Sequence, residues 1–420
     1  MMRAMTSGRI FYGWWIAVVG CVLDAMKGGT YHSGFTLYFL PVLTELNLTR
    51  AATSVPFALA RLEAAIEGPV VGYLVDRCDV RIILAVGAVS AGLGFVLLAF
   101  ADSYLFFVLV FIGPVSIGFQ TFNHATIAAV NHWFRKKRGL AMSVVQTGQA
   151  IGGVAIFPLV AFAVLTLGWR AAAFLSGIGV LLLLPLVFFM RRSPEAMGLL
   201  PDGERPASHD PLAGSQRPGD PHEFTAKEAL RTSTFWLLAT FHALRNVPWA
   251  GVTVHLVPLL VWKGLDEPTA AFFVGLTAFC TVIARPLSGW LGDRQSKQTI
   301  GAVGVFLGAL GLCALTYGSS VPLLVLFAVL YAFGDGVNSV TWALVGDLFG
   351  RTHFAVIRGW IGMYQSLISM PAAVLTGWIY DQTQSYTYAL LPFIACYAVA
   401  GVILYVLPHP ARPVRVEAPA

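Results

Sequence analysis

Charge is what this chain has least of. Asp, Glu, Lys and Arg make up 11% of its 420 residues, against about 25% in a soluble domain. That shortage excludes an ordinary water-facing surface. Cysteine is sparse too. Cys21, Cys78, Cys280, Cys313 and Cys396 form no C-x-x-C pair and no metal-ligand spacing, so no redox or metal role is expected of them. There is no Walker loop and no zinc or Ser-His-Asp signature, which argues against an ATP-driven pump and against an enzyme. No cofactor is implied. Long polar segments are scarce as well. Residues 191–231 form the single one, rich in Pro, Gly, Asp and His and too short and polar for a signalling domain.

What is abundant is hydrocarbon. Hydrophobic residues are 57% of the chain and mean hydropathy is +0.73. About 20 apolar residues cross a bilayer. Twelve such stretches can be read, at about 11–40, 51–75, 81–101, 103–131, 138–166, 169–190, 232–262, 268–292, 299–317, 320–346, 353–380 and 387–407. The expectation is an all-α membrane protein with twelve transmembrane helices in two six-helix bundles, 1–190 and 232–420, joined by the linker 191–231. The first apolar run is too long for a signal-peptide core, so the first span is expected to be retained. Most of the 27 Lys and Arg fall at the termini and in loops after even-numbered spans, while Arg50, Arg170 and Lys263 lie near the other side. By the positive-inside rule both termini and the linker face the cytoplasm, in the cell inner (plasma) membrane. Basic clusters such as Arg135-Lys136-Lys137-Arg138 are then topology signals, and no nucleic-acid partner is expected.

Against this apolar background, one residue stands out. Arg285 lies deep in AFFVGLTAFCTVIARPLSGWL, within span eight. A guanidinium cannot shed its charge, and placing it in hydrocarbon costs at least a few kcal/mol. Such a residue faces a watery cavity or an internal partner, and its planar fork suits a carboxylate. The other interior cations are Lys27, Arg61 and Arg245, and the interior acids are Asp24, Glu63, Glu67 and Asp335. They sum to zero, so an incoming anion adds one uncompensated charge. Protonating an acid offsets it, which makes proton symport economical. Asp335 on a neighbouring span is also the competing structural partner for Arg285.

The chain repeats itself. GPVVGYLVDR at 68–77 matches RPLSGWLGDR at 285–294, an offset of 217; a second match aligns Phe134 and Arg138-Gly139 with Phe354 and Arg358-Gly359 at 220. Duplicated six-span units are implied. Gly72-x3-Asp76-Arg77-x3-Arg81 and Gly289-x3-Asp293-Arg294 resemble the loop signature of the major facilitator superfamily, over about residues 10–408. Gly13-Trp14-Trp15, Trp133-Phe134 with Arg138-Gly139, Gly168-Trp169-Arg170, Ser193 to Pro201 and Arg285-Pro286 resemble its monocarboxylate transporter and oxalate:formate antiporter branch. In that branch the span-eight arginine binds the substrate carboxylate, and spans one, four, seven and ten line the cavity. The polar residues of those spans recur every three or four positions, on one helix face: Asp24, Lys27 and Tyr31; Ser116, Gln120 and Asn123; His242, Asn246, Trp249 and Thr253; Tyr331, Asp335, Asn338 and Trp342. Hydrogen-bonded glue between helices is the plainer role for about half of them.

Two departures bear on substrate. Near the branch's span-one lysine this chain has Tyr31, His32 and Ser33, with Lys27 about a turn earlier. Span eleven has Tyr364 and Gln365 but no interior Lys or Arg, which favours one carboxylate per substrate over two. The resulting expectation is a monomeric, proton-coupled secondary transporter of a small organic anion, a lactate- or pyruvate-like monocarboxylate. The alternatives are an organic-anion antiporter, an exporter of amphipathic compounds, or a non-transporting membrane sensor. Arg285, Asn123, Tyr31, Asn246, Tyr331 and Tyr364 are the candidate substrate contacts. Glu67, Asp335 and His255 are the candidate proton carriers, and Asp76, Arg77, Asp293 and Arg294 the candidate latch. Gly148, Gly152 and Gly153 are expected to let helices approach closely, and Pro158, Pro248, Pro258 and Pro371 to bend them.

Overall fold

Short polar residues start the helices. Asp79, Ser103, Thr232, Asp266 and Ser296 each precede a helix and accept a hydrogen bond from the backbone N–H of Arg81, Phe106, Phe235, Thr269 and Thr299. Each bond satisfies a donor that the helix itself leaves unpaired. Hydrogen bonds from Arg81 hold the Asp79 carboxyl below its usual range, so this cap stays charged at neutral pH. Gly168 makes the turn between two helices at φ +84°, a left-handed conformation that side chains resist.

A computed structural model describes residues 11–34, 37–38, 41–42, 45, 50–203 and 223–411; the side chains of 50–58, 60, 61, 64, 65 and 267 are not among those described. Arg61, one of the predicted interior cations, therefore lies outside the described side chains, and residues 204–222 of the linker lie outside the described residues. The described residues are helical throughout, apart from turns and short connections. In chain order, α1 is Tyr12–Met26, continued by a π-helical turn Lys27–His32. Next come α2 (Arg50–Arg77), α3 (Val80–Leu98), α4 (Tyr104–Trp133), α5 (Arg138–Leu167) and α6 (Trp169–Val187). Beyond the linker come α7 (Ser233–Trp262), α8 (Glu267–Arg294), α9 (Lys297–Tyr317) and α10 (Val321–Phe349). The last are α11, in two pieces (Phe354–Ser369 and Ala372–Thr383), and α12 (Thr387–Tyr405). Nine of the described helices are long and apolar enough to cross a membrane. Their outer faces carry large apolar side chains such as Phe162, Leu165 and Phe272, all more than half exposed. A surface of that kind is at home in lipid.

Within each half, helices pack in neighbouring pairs: α1 on α5, α3 on α4 and α6, α9 on α10 and α12, α7 on α11 and α12. The α1–α5 contact is backbone on backbone. A Cβ on Gly148 would lie 2.1 Å from the Cys21 carbonyl oxygen, and one on Gly152 would lie 1.9 Å from that of Ala25. Gly153 plays no such part, since its nearest neighbour beyond its own helix is the Ser33 hydroxyl at 3.7 Å.

The halves meet along two seams, α2 against α11 and α5 against α8. Both are lined by the repeated motif. On one seam a Cβ on Gly72 would lie 2.4 Å from the Ala355 carbonyl oxygen, and one on Gly359 would lie 2.2 Å from that of Gly68. On the other, a Cβ on Gly289 would lie 2.7 Å from the Gly139 carbonyl oxygen. The helix starts correct the second repeat offset. Asp293 accepts from the N–H groups of Gly139 and Leu140 at the start of α5, and Asp76 from those of Ala355 and Val356 at the start of α11. Gly139 and Ala355 are 216 apart, agreeing with the 217 of the first match. The 220 alignment of Arg138 with Arg358 is thus one helical turn out of register.

Candidate substrate site

The polar stripes face each other in pairs. In the first half α1 and α4 run antiparallel: Asn123 Nδ2 donates to Asp24 at 3.4 Å, Lys27 Nζ to Gln120 Oε1 at 2.8 Å, and the Tyr31 hydroxyl meets Ser116 Oγ at 3.0 Å. In the second half α7 faces α10 the same way, with His242 stacked on Trp342 at 4.0 Å and Arg245 Nη2 donating to Asn338 Oδ1 at 2.6 Å. A three- or four-residue spacing on two antiparallel helices yields this one-to-one pairing.

Arg285 extends the second ladder from α8. It is buried, and it donates through Nε (3.1 Å) and Nη2 (2.8 Å) to one oxygen of Asp335, Oδ2. Its Nη1 donates to the Gln146 carbonyl of α5 at 2.5 Å. Gln146 Oε1 in turn accepts from Asn338 Nδ2 at 2.7 Å. Gln146 thus ties one half to the arginine and the asparagine of the other.

The remaining candidates are distributed around this centre. Glu67 is buried on α2, 3.5 Å from the Thr121 hydroxyl; Glu63, one turn earlier on the same helix, accepts from Ser116 at 2.6 Å, and Glu63 Oε1 and Glu67 Oε2 have no hydrogen-bond partner. Two carboxylates one helical turn apart repel when both are charged. Asn246 donates to Ser369 Oγ at 2.9 Å, joining α7 to α11. Tyr331 is buried, and its hydroxyl has no partner. Tyr364 packs edge-on against Trp236 near the start of α7. His255 is tied by Nε2 to the Ala373 carbonyl at 2.9 Å and by Nδ1 to the Tyr386 hydroxyl at 3.5 Å. Of the four loop residues, Asp76 and Asp293 reach across the seams. Arg77 and Arg294 instead lie over aromatic rings of their own helices, Tyr73 at 4.2 Å and Trp290 at 4.0 Å.

A family model described as Major Facilitator Superfamily matches residues 28–373 and 250–420. The chain belongs to that superfamily. Its members are transporters, and this one is a multi-pass membrane protein. Among similar proteins, the oxalate:formate antiporter of Oxalobacter formigenes is 24% identical over 98% of this chain and 95% of its own. Monocarboxylate transporter 12 of Xenopus laevis is 23% identical over 90% and 85%, and monocarboxylate transporter 13 of Rattus norvegicus 26% over 95% and 89%. In fold the chain is similar to FucP in the outward conformation (TM-score 0.69, 14% identity, 92% of this chain and 97% of that one). It is also similar to the proton:xylose symporter XylE bound to 6-bromo-6-deoxy-D-glucose (TM-score 0.71, 17% identity, 95% and 96%).

One residue of this superfamily member escaped the sequence reading. Span eleven does hold an interior cation, so the interior charges do not sum to zero and the neutrality argument for proton uptake falls. Arg358 is buried; it donates to Asn123 Oδ1 at 2.5 Å, meets His124 Nδ1 at 3.1 Å, and lies over the Trp342 ring at 4.8 Å. The 220 offset paired it with Arg138, which stands at a helix start and bonds Asp347 near the end of α10. In the 216 register Arg358 corresponds to Met142, one turn deeper. Gln146 also went unnoticed, because part of its role is carried by its backbone carbonyl.

Proposed function

We propose that this superfamily transporter carries a small monocarboxylate of the lactate or pyruvate type, together with a proton, by alternating access. The observation that carries the reading is Arg285: a buried guanidinium on α8, at the seam between the halves, held by a carboxylate that a substrate carboxylate can replace. Relatives named as monocarboxylate transporters support the substrate class. Glu67, one turn from Glu63, is the preferred proton carrier, ahead of Asp335 and His255, because two buried carboxylates so placed repel when both are charged and an oxygen of each lacks a partner. Tyr31, Asn123, Asn246, Tyr331 and Tyr364 remain the proposed walls of the substrate path. Asp76 and Asp293 act as the latch of the state closed on the linker side. We propose a plasma-membrane location with the linker and both termini in the cytoplasm, which tags in the linker and in the 263–266 loop would test.

A second reading has a specific observation behind it. Arg358 removes the objection that span eleven lacks a cation, and one relative is named an oxalate:formate antiporter. In that reading the chain exchanges organic anions. Thermal stabilisation of the purified protein by lactate, pyruvate, formate and oxalate decides between the two substrate classes. A ligand at 100 times its Kd adds about 2.7 kcal/mol. Stabilisation by lactate and pyruvate but not by oxalate supports the proposal, and stabilisation by oxalate and formate but not by lactate or pyruvate supports the second reading.

A further inference from the structure

Arg245 is the least satisfied charged group among the described residues. It sits on α7, 2% exposed, and its one hydrogen bond is from Nη2 to Asn338 Oδ1; Nε and Nη1 have no partner. Two buried hydroxyls nearby, Tyr331 and Tyr397, are also unpartnered, and the carboxylate acting on this guanidinium is that of Asp335. Buried guanidinium N–H groups left without acceptors are costly, so a fold that keeps them implies that they are used in another arrangement.

The acceptor they lack is close by. Asp335 and Asn338 are three residues apart, so they lie on one face of α10 about one turn from each other. Arg285 engages only Oδ2 of Asp335, which leaves Oδ1 available to a second cation. Between Asp335 and Asn338 the helix is interrupted: Val321–Gly336 ends, Val337 has φ −71° and ψ −4°, and Asn338–Phe349 begins. A joint at this point lets Asp335 move relative to Asn338. Gln146 of the opposite half holds both Asn338 and Arg285, so parting the halves releases both contacts together.

We propose that Arg245 is a reserve partner for Asp335, and that anion capture by Arg285 hands the Asp335 carboxylate over to Arg245. This rests on the proposed function above. It explains how a buried carboxylate can surrender its arginine to a substrate without being left unpaired, and it makes Arg245 a positioning residue rather than a direct substrate contact.

The test begins without ligand, as a double-mutant cycle read by thermal unfolding of the purified full chain. R245Q leaves Asp335 with Arg285 and removes the unpartnered guanidinium, so it should change Tm little; R285Q leaves Asp335 to Arg245 and should lower Tm slightly. R285Q/R245Q leaves it none and should lose far more than the sum, and adding D335N should restore most of that loss. An additive cycle, or R285Q as unstable as the double variant, would overturn the handover. So would R285Q and R285Q/D335N failing alike. The second arm uses pyruvate as the probe. R245Q should bind it about tenfold more weakly, since Asp335 then keeps Arg285, and R245Q/D335N should recover that loss. R245Q binding normally, or no recovery in the pair, contradicts the proposal. A wild-type chain that ignores pyruvate would count against the substrate reading, while the ligand-free cycle still decides the handover.

Discussion

Arg285 and Asp335 hold each other in a place where neither could stand alone. Removing one partner of a buried pair typically costs about 3–5 kcal/mol, because a charge is left without compensation. Arg285→Ala should therefore fold only because Arg245 stands ready, and should lose carboxylate binding by about 100-fold or more. Arg285→Lys keeps the charge but loses the fork that spans two oxygens, and should lose about tenfold. Carboxylate titration followed by thermal shift measures both, and normal binding by Arg285→Ala would make the arginine purely structural. At this scale the sequence was most informative where a charge had no apolar excuse. Arg285 and Asp335 were legible because each interrupts a hydrophobic run. Arg358 was not, because it follows a loop by only a few residues. The start of α11 was read correctly, but the 220 offset aligned Arg358 with Arg138 at a helix start, one turn out of register.

The helices divide into those fixed within a half and those that meet across it, and close glycine contacts occur in both. Gly152 packs on Ala25 inside one half, so Gly152→Ala should destabilise every state, by about 1–3 kcal/mol of overpacking. Gly359 packs on Gly68 across the seam, so Gly359→Ala should leave overall stability nearly intact and disfavour closure on the linker side. Thermal unfolding separates the first effect, and spin-label distances between the linker-side ends of α2 and α11 report the second. Asp76→Asn should act in the same direction as Gly359→Ala. It removes a charge from the start of α11, a contact worth about 0.3–1 kcal/mol, and should widen those distances in a larger share of molecules. An unchanged distance distribution in both variants would show that the seam is not a latch. The G-x3-D-R repeats were readable as a pair because the helix start each one caps is duplicated too. The π-helical turns in α1 and α4 were not readable. They keep the apolar pattern and alter only which carbonyl each N–H finds.

At the scale of the molecule, the fold class followed from hydropathy and from the repeat, while the pairing of stripes across helices had to be seen. Periodicity places Asp24, Lys27 and Tyr31 on one face, but it does not say that Asn123, Gln120 and Ser116 lie opposite them. The central claim is that an anion bound at Arg285 travels with a proton held in the buried acid network around Glu67. The most direct measurement is uptake of labelled pyruvate into proteoliposomes, empty or loaded with unlabelled anion, at matched and mismatched pH, with Glu67→Gln in parallel. Empty vesicles should accumulate pyruvate when the outside is more acidic, with proton entry alongside it. In Glu67→Gln, exchange with internal anion should survive while the dependence on the pH gradient disappears. Uptake that strictly requires internal anion and ignores the gradient would contradict it.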